Sequence, residues 1–443
     1  MGDNPRAFDV SHRSVLAIAW PTTLAYLSTP LLGLIDTGVV GRLGDPALLG
    51  GLAVGAILFD IIFTTFNFLR SSTTGLVAQA LGAGHEEEQR VVLIRSLLLS
   101  GVMGAAVLLL APLISTVGLW AMDVPEAVEQ ATLAYFTIRV LAAPLTLINY
   151  SVLGWMLGLG QARLGLALQL VLNGSNIVLS ILLGLVWGWG IEGVAWATVI
   201  AEGLAVCVGL SIAWLRLSGL GKVAWAAVFE STALIRLFGV NRDIMIRSFC
   251  LLFAFAFFTS QGANFGEVTL AANAVLMNFF MIAGYFLDGF ATAAEQLAGK
   301  AVGARHRPAF DSAVRLTLVW GFGLAILASL VFWIGGPFVI DLLTTNQEVR
   351  QVARQYLLWA ALTAVVGVVA FQMDGVYIGA TWSADMRNMM LLSLVAFLLT
   401  WYVATPVWQN HGLWLALEVF LGARGLSLYA RLPRRAKETF SPA

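Results

Sequence analysis

Asp36 is the residue around which chemistry in this chain can be built. It sits in an apolar run, 14–40, where its neighbours one helical turn away are Leu32, Gly33, Val39 and Val40, and none of these can pair with it. A lone carboxylate in a membrane-spanning helix costs about 3 kcal/mol and faces the interior of the helix bundle. Either it carries a proton much of the time or it finds a partner on another helix. Asn173, Asn176 and Ser180 form a polar stripe at i, i+3 and i+7 on the fifth apolar run, and Thr198 and Glu202 stand one turn apart on the sixth. An acid poised in this way is what proton coupling requires. The plainer reading is a neutral acid that donates one hydrogen bond as glue between helices.

Other residues accompany it. Pro21 precedes Asp36 in the same run, where its missing amide hydrogen permits a kink, either a working hinge or a bend fixed by packing. Tyr135 and Arg139 are one turn apart on the fourth run, and Arg139 is expected to pair with an acid or to snorkel outward. Asp60, Thr64, Asn67 and Ser71 share a face of the second run, with Arg70 beside them. In the second half Asp288, Thr292 and Glu295 fall at i, i+4 and i+7, which puts both carboxyls on one side of a helix. These acids and Asp374 could bind a cationic substrate or run a second proton step. For Glu295 the alternative is a carboxylate near the helix end that reaches water, since Lys300 follows by little more than a turn.

No HExxH, GxSxG or paired Ser/Lys arrangement lies at membrane depth, so an enzyme is not expected. Cys207 and Cys250 both lie in apolar segments, and His12, His85, His306 and His411 lack the paired spacing of metal ligands. We expect no metal and no cofactor. With 25 basic and 25 acidic residues the net charge is zero and gives no reason to expect nucleic acid as a partner. The expected partners are the lipid bilayer and small organic molecules, for which 26 Phe and 15 Trp offer stacking surface, although most of these must face lipid.

The elements that position these residues follow from composition. Of 443 residues, 59% are hydrophobic and only 11% charged, which excludes a water-soluble fold. Apolar runs at 14–40, 47–71, 89–114, 127–157, 161–184, 190–216, 241–262, 268–299, 311–336, 350–379, 385–407 and 410–430 predict an all-α integral membrane protein of about twelve transmembrane helices. The polar start reads as uncleaved. Arg6, Arg13, Arg90, Arg95, Arg163, Arg216, Lys222, Arg236, Arg242, Lys300, Arg305, Arg387, Arg431 and Lys437 fall on one side of this layout, against Arg42 and Arg350 on the other. The positive-inside rule then places both termini in the cytoplasm.

The chain also repeats itself. AQALGAGH (78–85) resembles GKAVGARH (299–306), and Tyr135, Gly154 and Gly158 recur as Tyr356, Gly375 and Gly379, each 221 positions later. Six spans per repeat is an even number, so the expected domains are two parallel-topology six-helix lobes, 1–220 and 241–443, joined by a cytoplasmic linker at 221–240.

With these features in view, PLLGLIDTGVVGRLG (30–44), LRSSTTGLVAQALGAG (69–84), GVNRDIM (239–245), LDGFATAAEQLAGKAVGAR (287–305) and MDGVYIGATWSADMRN (373–388) resemble the multidrug and toxic compound extrusion family, in its DinF-like branch. The resemblance implies a secondary antiporter that works as a monomer in the inner membrane and exports drugs or toxins by alternating access. It makes Asp36 a coupling residue, Pro21 the proline of a bending first helix, and Asp374 an acid of the carboxy-terminal lobe. Several family members carry an aspartate where this chain has Ser180. That departure favours H+ over Na+, although hydroxyl and amide oxygens also suit a hard cation. A flippase of a lipid-linked intermediate is the alternative from another class. It would need a cationic cavity, whereas the charges expected in the membrane are mostly acidic, with Arg70, Arg139 and Arg247 the exceptions.

Overall fold

The computed structural model describes residues 7–220 and 223–441, so Arg6 and Lys222 lie outside the described residues. Among the described residues twelve helices are long and apolar enough to cross a membrane: α1 His12–Gly41, α2 Pro46–Ala83, α3 Glu86–Met122, α4 Glu126–Gly158, α5 Ala162–Val186, α6 Gly190–Leu217, α7 Trp225–Ala263, α8 Glu267–Gly303, α9 Arg307–Leu343, α10 Gln347–Gly379, α11 Ser383–Trp408 and α12 Asn410–Phe440. Several outrun the apolar stretches that predict them. α2, α9 and α12 continue past the expected ends because a backbone that has begun to hydrogen-bond internally propagates through polar turns at little cost.

Three helices of the first repeat are interrupted among the described residues. In α2 the regular pattern breaks at Asn67, whose side chain accepts a 3.3 Å bond from Arg70 Nε. In α4 the turn Val140–Ala142 tightens to 3₁₀ pitch just before Pro144. In α5 the last turns, Ser180–Val186, widen to π pitch, so Ser180 stands where the helix changes its winding. Such local changes recur at functional positions.

The 221-residue offset is a packing repeat as well as a sequence repeat. A Cβ on Gly154 would lie 2.4 Å from the Arg70 carbonyl oxygen, and one on Gly375 would lie 2.1 Å from that of Ala291. Gly158 meets the Thr74 carbonyl, and Gly379 meets that of Glu295 at 2.0 Å. In both halves the fourth helix of the repeat therefore lies backbone-to-backbone against the second, as small residues in membrane helices allow. The loop corners repeat too. Gly84, Gly160 and Gly188 have φ of 72°, 73° and 73°, and their partners 221 positions on, Arg305, Thr381 and Gln409, also have positive φ, at 50°, 57° and 49°.

Two compact units emerge, one of Leu24–Leu81 with His85–Ile235, the other of Arg236 onward together with the chain through Thr23 and Gly82–Gly84. α1 is thus shared between them, its first turns counted with the second unit. Within the expected linker 221–240, the described residues from 223 on are largely helical. The segment Trp225–Val228 is a helical turn whose end carbonyls, on Ala227 and Val228, accept from Arg95 of α3, and the regular helix resumes at Ser231. A guanidinium capping the last carbonyls of a short helix explains why so short a turn persists.

Candidate functional site

In the first unit four polar side chains from three helices form one chain of hydrogen bonds. The Ser180 hydroxyl lies 2.8 Å from Asp36 Oδ1 and 3.0 Å from Asn176 Oδ1, Asn176 Nδ2 donates to Thr198 Oγ1 at 3.1 Å, and Thr198 donates to the Val194 carbonyl at 3.3 Å. Asp36 is 7% exposed, Ser180 fully buried and Asn176 1% exposed. The widened turn at the end of α5 carries Ser180, and α1 and α6 bring Asp36 and Thr198 to it.

The other members of the polar stripes go elsewhere. Asn173 donates to Ser28 at 2.6 Å, so it serves α1 about two turns away from Asp36. Glu202 does not join Asp36. It accepts from Asn149 Nδ2 at 2.6 Å, and the two close a separate buried pair between α4 and α6. Arg139 donates to the Tyr135 hydroxyl and stacks over the Phe59 ring at 4.6 Å, with Asp36 and Asp60 within electrostatic reach. Its guanidinium is therefore held by aromatic faces and a phenol, where a direct carboxylate partner was one expectation. Tyr135 is itself 1% exposed, with its ring against Gly55. Pro21 lies within a helix that is continuous from His12 to Gly41.

In the second unit the acids separate. Asp288 is exposed, and Thr292 donates to its carbonyl at 2.9 Å. Glu295 is 2% exposed beneath the Gly379 contact, which excludes the reading that it reaches water. The two carboxyls on that side of α8 therefore occupy different surroundings. Asp374 is not a free acid either. Arg247 of α7 and Arg424 of α12 both donate to its Oδ2. The carboxylate that was expected to meet a cation or carry a second proton is thus occupied by two guanidinium groups.

Two residues here escape a reading by apolar runs. Arg424 is 3% exposed, and Glu418, 7% exposed on the same helix, has neither carboxyl oxygen hydrogen-bonded among the described residues. The only sequence signal for either was a single charge within a long apolar run.

Comparison with known proteins agrees with this architecture. The MatE family model matches residues 21–182 and again 244–404, one match in each repeat. The chain is 40% identical over 426 residues to DNA damage-inducible protein F of Escherichia coli K12, covering 95% of this chain and 92% of that one. It is 27% identical over 434 residues to Protein DETOXIFICATION 44, chloroplastic, of Arabidopsis thaliana, covering 93% and 80%. Among solved structures, the Vibrio cholerae MATE transporter VcmN in its bent form aligns with a TM-score of 0.88 at 20% identity, over 97% of this chain and 98% of that one. An outward-facing multidrug resistance MATE family transporter of the MOP superfamily aligns at 0.85 and 17%, over 97% of each chain. With both repeats matched and a relative at 40% identity along nearly its whole length, the chain belongs to the MatE, or multidrug and toxic compound extrusion, family: a multi-pass membrane transporter and not an enzyme.

Proposed function

We propose that this transporter exports small organic molecules, amphipathic or cationic, in exchange for protons, and that Asp36 is the proton carrier. One observation carries the reading. The Ser180 hydroxyl has one proton and faces two acceptors, Asp36 Oδ1 and Asn176 Oδ1. If Asp36 is protonated it donates to Ser180, Ser180 donates to Asn176, and the chain runs without a gap to Val194. If Asp36 is ionised, Ser180 turns to it and the Asn176 carbonyl loses its donor. Protonation of one carboxyl therefore reverses the hydrogen bond between α1 and α5 and fills the Asn176 acceptor, while the links from Asn176 to Thr198 and Val194 keep their direction, and a charge change of this kind biases a helix bundle between two arrangements.

The cycle we infer is alternating access by a monomer in the inner membrane, with both termini cytoplasmic. The lobes 1–220 and 241–443 act as the moving bodies, and α1 bends at Pro21. Tyr135 and Arg139 set the field around Asp36. Sodium coupling is the rival, since Ser180, Asn176 and Thr198 offer neutral oxygens. The lack of a second carboxylate in this chain of hydrogen bonds favours the proton. Proteoliposomes given a proton or a sodium gradient separately decide it. Export of a toxic dye should follow the proton gradient in the wild type and be lost in D36N. Undiminished export by D36N, or export driven by sodium alone, overturns the assignment.

A further inference from the structure

We propose that the second unit carries a recognition site for an organic anion, such as a carboxylate or sulfonate on the transported molecule, built on Arg247 and Arg424. This names a substrate class and so rests on the transport reading. Three helices converge there: Arg247 on α7, Asp374 on α10 and Arg424 on α12. Both guanidinium groups address the same carboxylate oxygen, Oδ2, with Arg247 Nε at 3.0 Å, while Asp374 Oδ1 and Arg424 Nε have no hydrogen-bond partner among the described residues.

Each guanidinium has five N–H donors in a planar fork suited to two acceptor oxygens, and here two forks share one oxygen. The arrangement therefore leaves donor capacity unused. It also leaves a charge unbalanced, since two buried or nearly buried cations face one buried anion. Asp288 on α8 is within electrostatic reach of Arg424 and exposed, and it offsets part of the excess. Glu418, six residues before Arg424 on α12, has neither carboxyl oxygen hydrogen-bonded among the described residues. Phe371 lies 5.7 Å from Arg424 and offers an apolar face beside the charge.

Access is set by Arg247. Its side chain is 14% exposed, against 3% for Arg424, so an incoming anion meets the Arg247 edge first. Asp374 then acts as an internal occupant that holds the forks together and competes with the ligand.

The test is equilibrium binding to the purified full chain in detergent, using two probes with one aromatic body, 1-pyrenebutyrate and 1-pyrenemethylammonium. R247Q should weaken pyrenebutyrate about tenfold, the loss of one charge-assisted contact, and leave the ammonium probe unchanged. D374N, which removes the competitor, should tighten pyrenebutyrate. Because R424Q strips a buried charge and can fail to fold, R247Q at the partly exposed position keeps the question answerable. Equal affinity of wild type and R247Q for pyrenebutyrate, or an equal loss of both probes, overturns the site. The binding comparison does not involve D36N. Its transport reports separately on the proton carrier, so failure of one reading is distinguishable from failure of the other.

Discussion

The hydroxyl of Ser180 stands 2.8 Å from Asp36 Oδ1, and no second carboxylate takes part in the hydrogen-bonded chain around it. Restoring one changes which ion the pocket suits. S180D would place two carboxylates and the Asn176 and Thr198 oxygens around one point, a set that a hard monovalent cation accepts. We predict that S180D acquires sodium-stimulated export in proteoliposomes while S180A loses proton-driven export about tenfold, one broken hydrogen bond to a charged group. An S180A variant with the wild-type rate would sink the relay.

The carboxyl of Glu418 is buried with both oxygens unsatisfied among the described residues. A buried polar group without a partner costs about 1–3 kcal/mol. E418L should therefore raise thermal stability in detergent by that order, read from intrinsic fluorescence during heating. A fall in melting temperature would mean that the carboxyl is satisfied in a way the packing does not display.

Where backbones touch, a methyl group cannot fit. A Cβ at Gly379 would sit 2.0 Å from the Glu295 carbonyl oxygen, whereas nothing lies within 4 Å of one at Gly38. G379A should destabilise by about 3 kcal/mol, the upper range for overpacking. G38A should be neutral or slightly stabilising, because alanine is the better helix former. Similar melting temperatures for the two variants would contradict the close approach of α8 and α10.

Thr381 holds a left-handed backbone, φ 57°, at the position where the first repeat has Gly160. A β-branched residue pays about 1–2 kcal/mol for that conformation. T381G should recover about 1 kcal/mol, less a little for the exposed bond from Arg236 that the hydroxyl accepts. Thermal denaturation of T381G beside wild type measures it, and a lower melting temperature would refute the strain.

Much of the frame was legible in the chain. Twelve apolar runs correspond to the twelve spanning helices, because hydrocarbon admits little else, and the 221-residue offset returns as paired helix contacts. Asp36, Asn176, Ser180 and Thr198 could be singled out by burial and spacing, and the structure joins them. The spacing rule that groups Asn173 with them fails, because a stripe two turns long faces more than one neighbour and Asn173 meets Ser28. Arg424 and the occupied state of Asp374 were not legible. The pairing joins residues 127 and 50 positions apart on three helices, and no local pattern encodes it. Nor does hydropathy register the break at Asn67 or the widened turn at Ser180, which alter hydrogen bonding but not polarity.

The division of α1 bears on any attempt to take the protein apart. Since the chain through Thr23 is counted with the unit that begins at Arg236, a cut in the 221–223 region would not release two self-sufficient pieces. The carboxy-terminal fragment would lack a helical segment that it can obtain only from the other polypeptide. Split versions of this transporter should therefore regain function only as complementing pairs, whereas a carboxy-terminal fragment that also carries its own copy of the leading segment should fold more readily by itself.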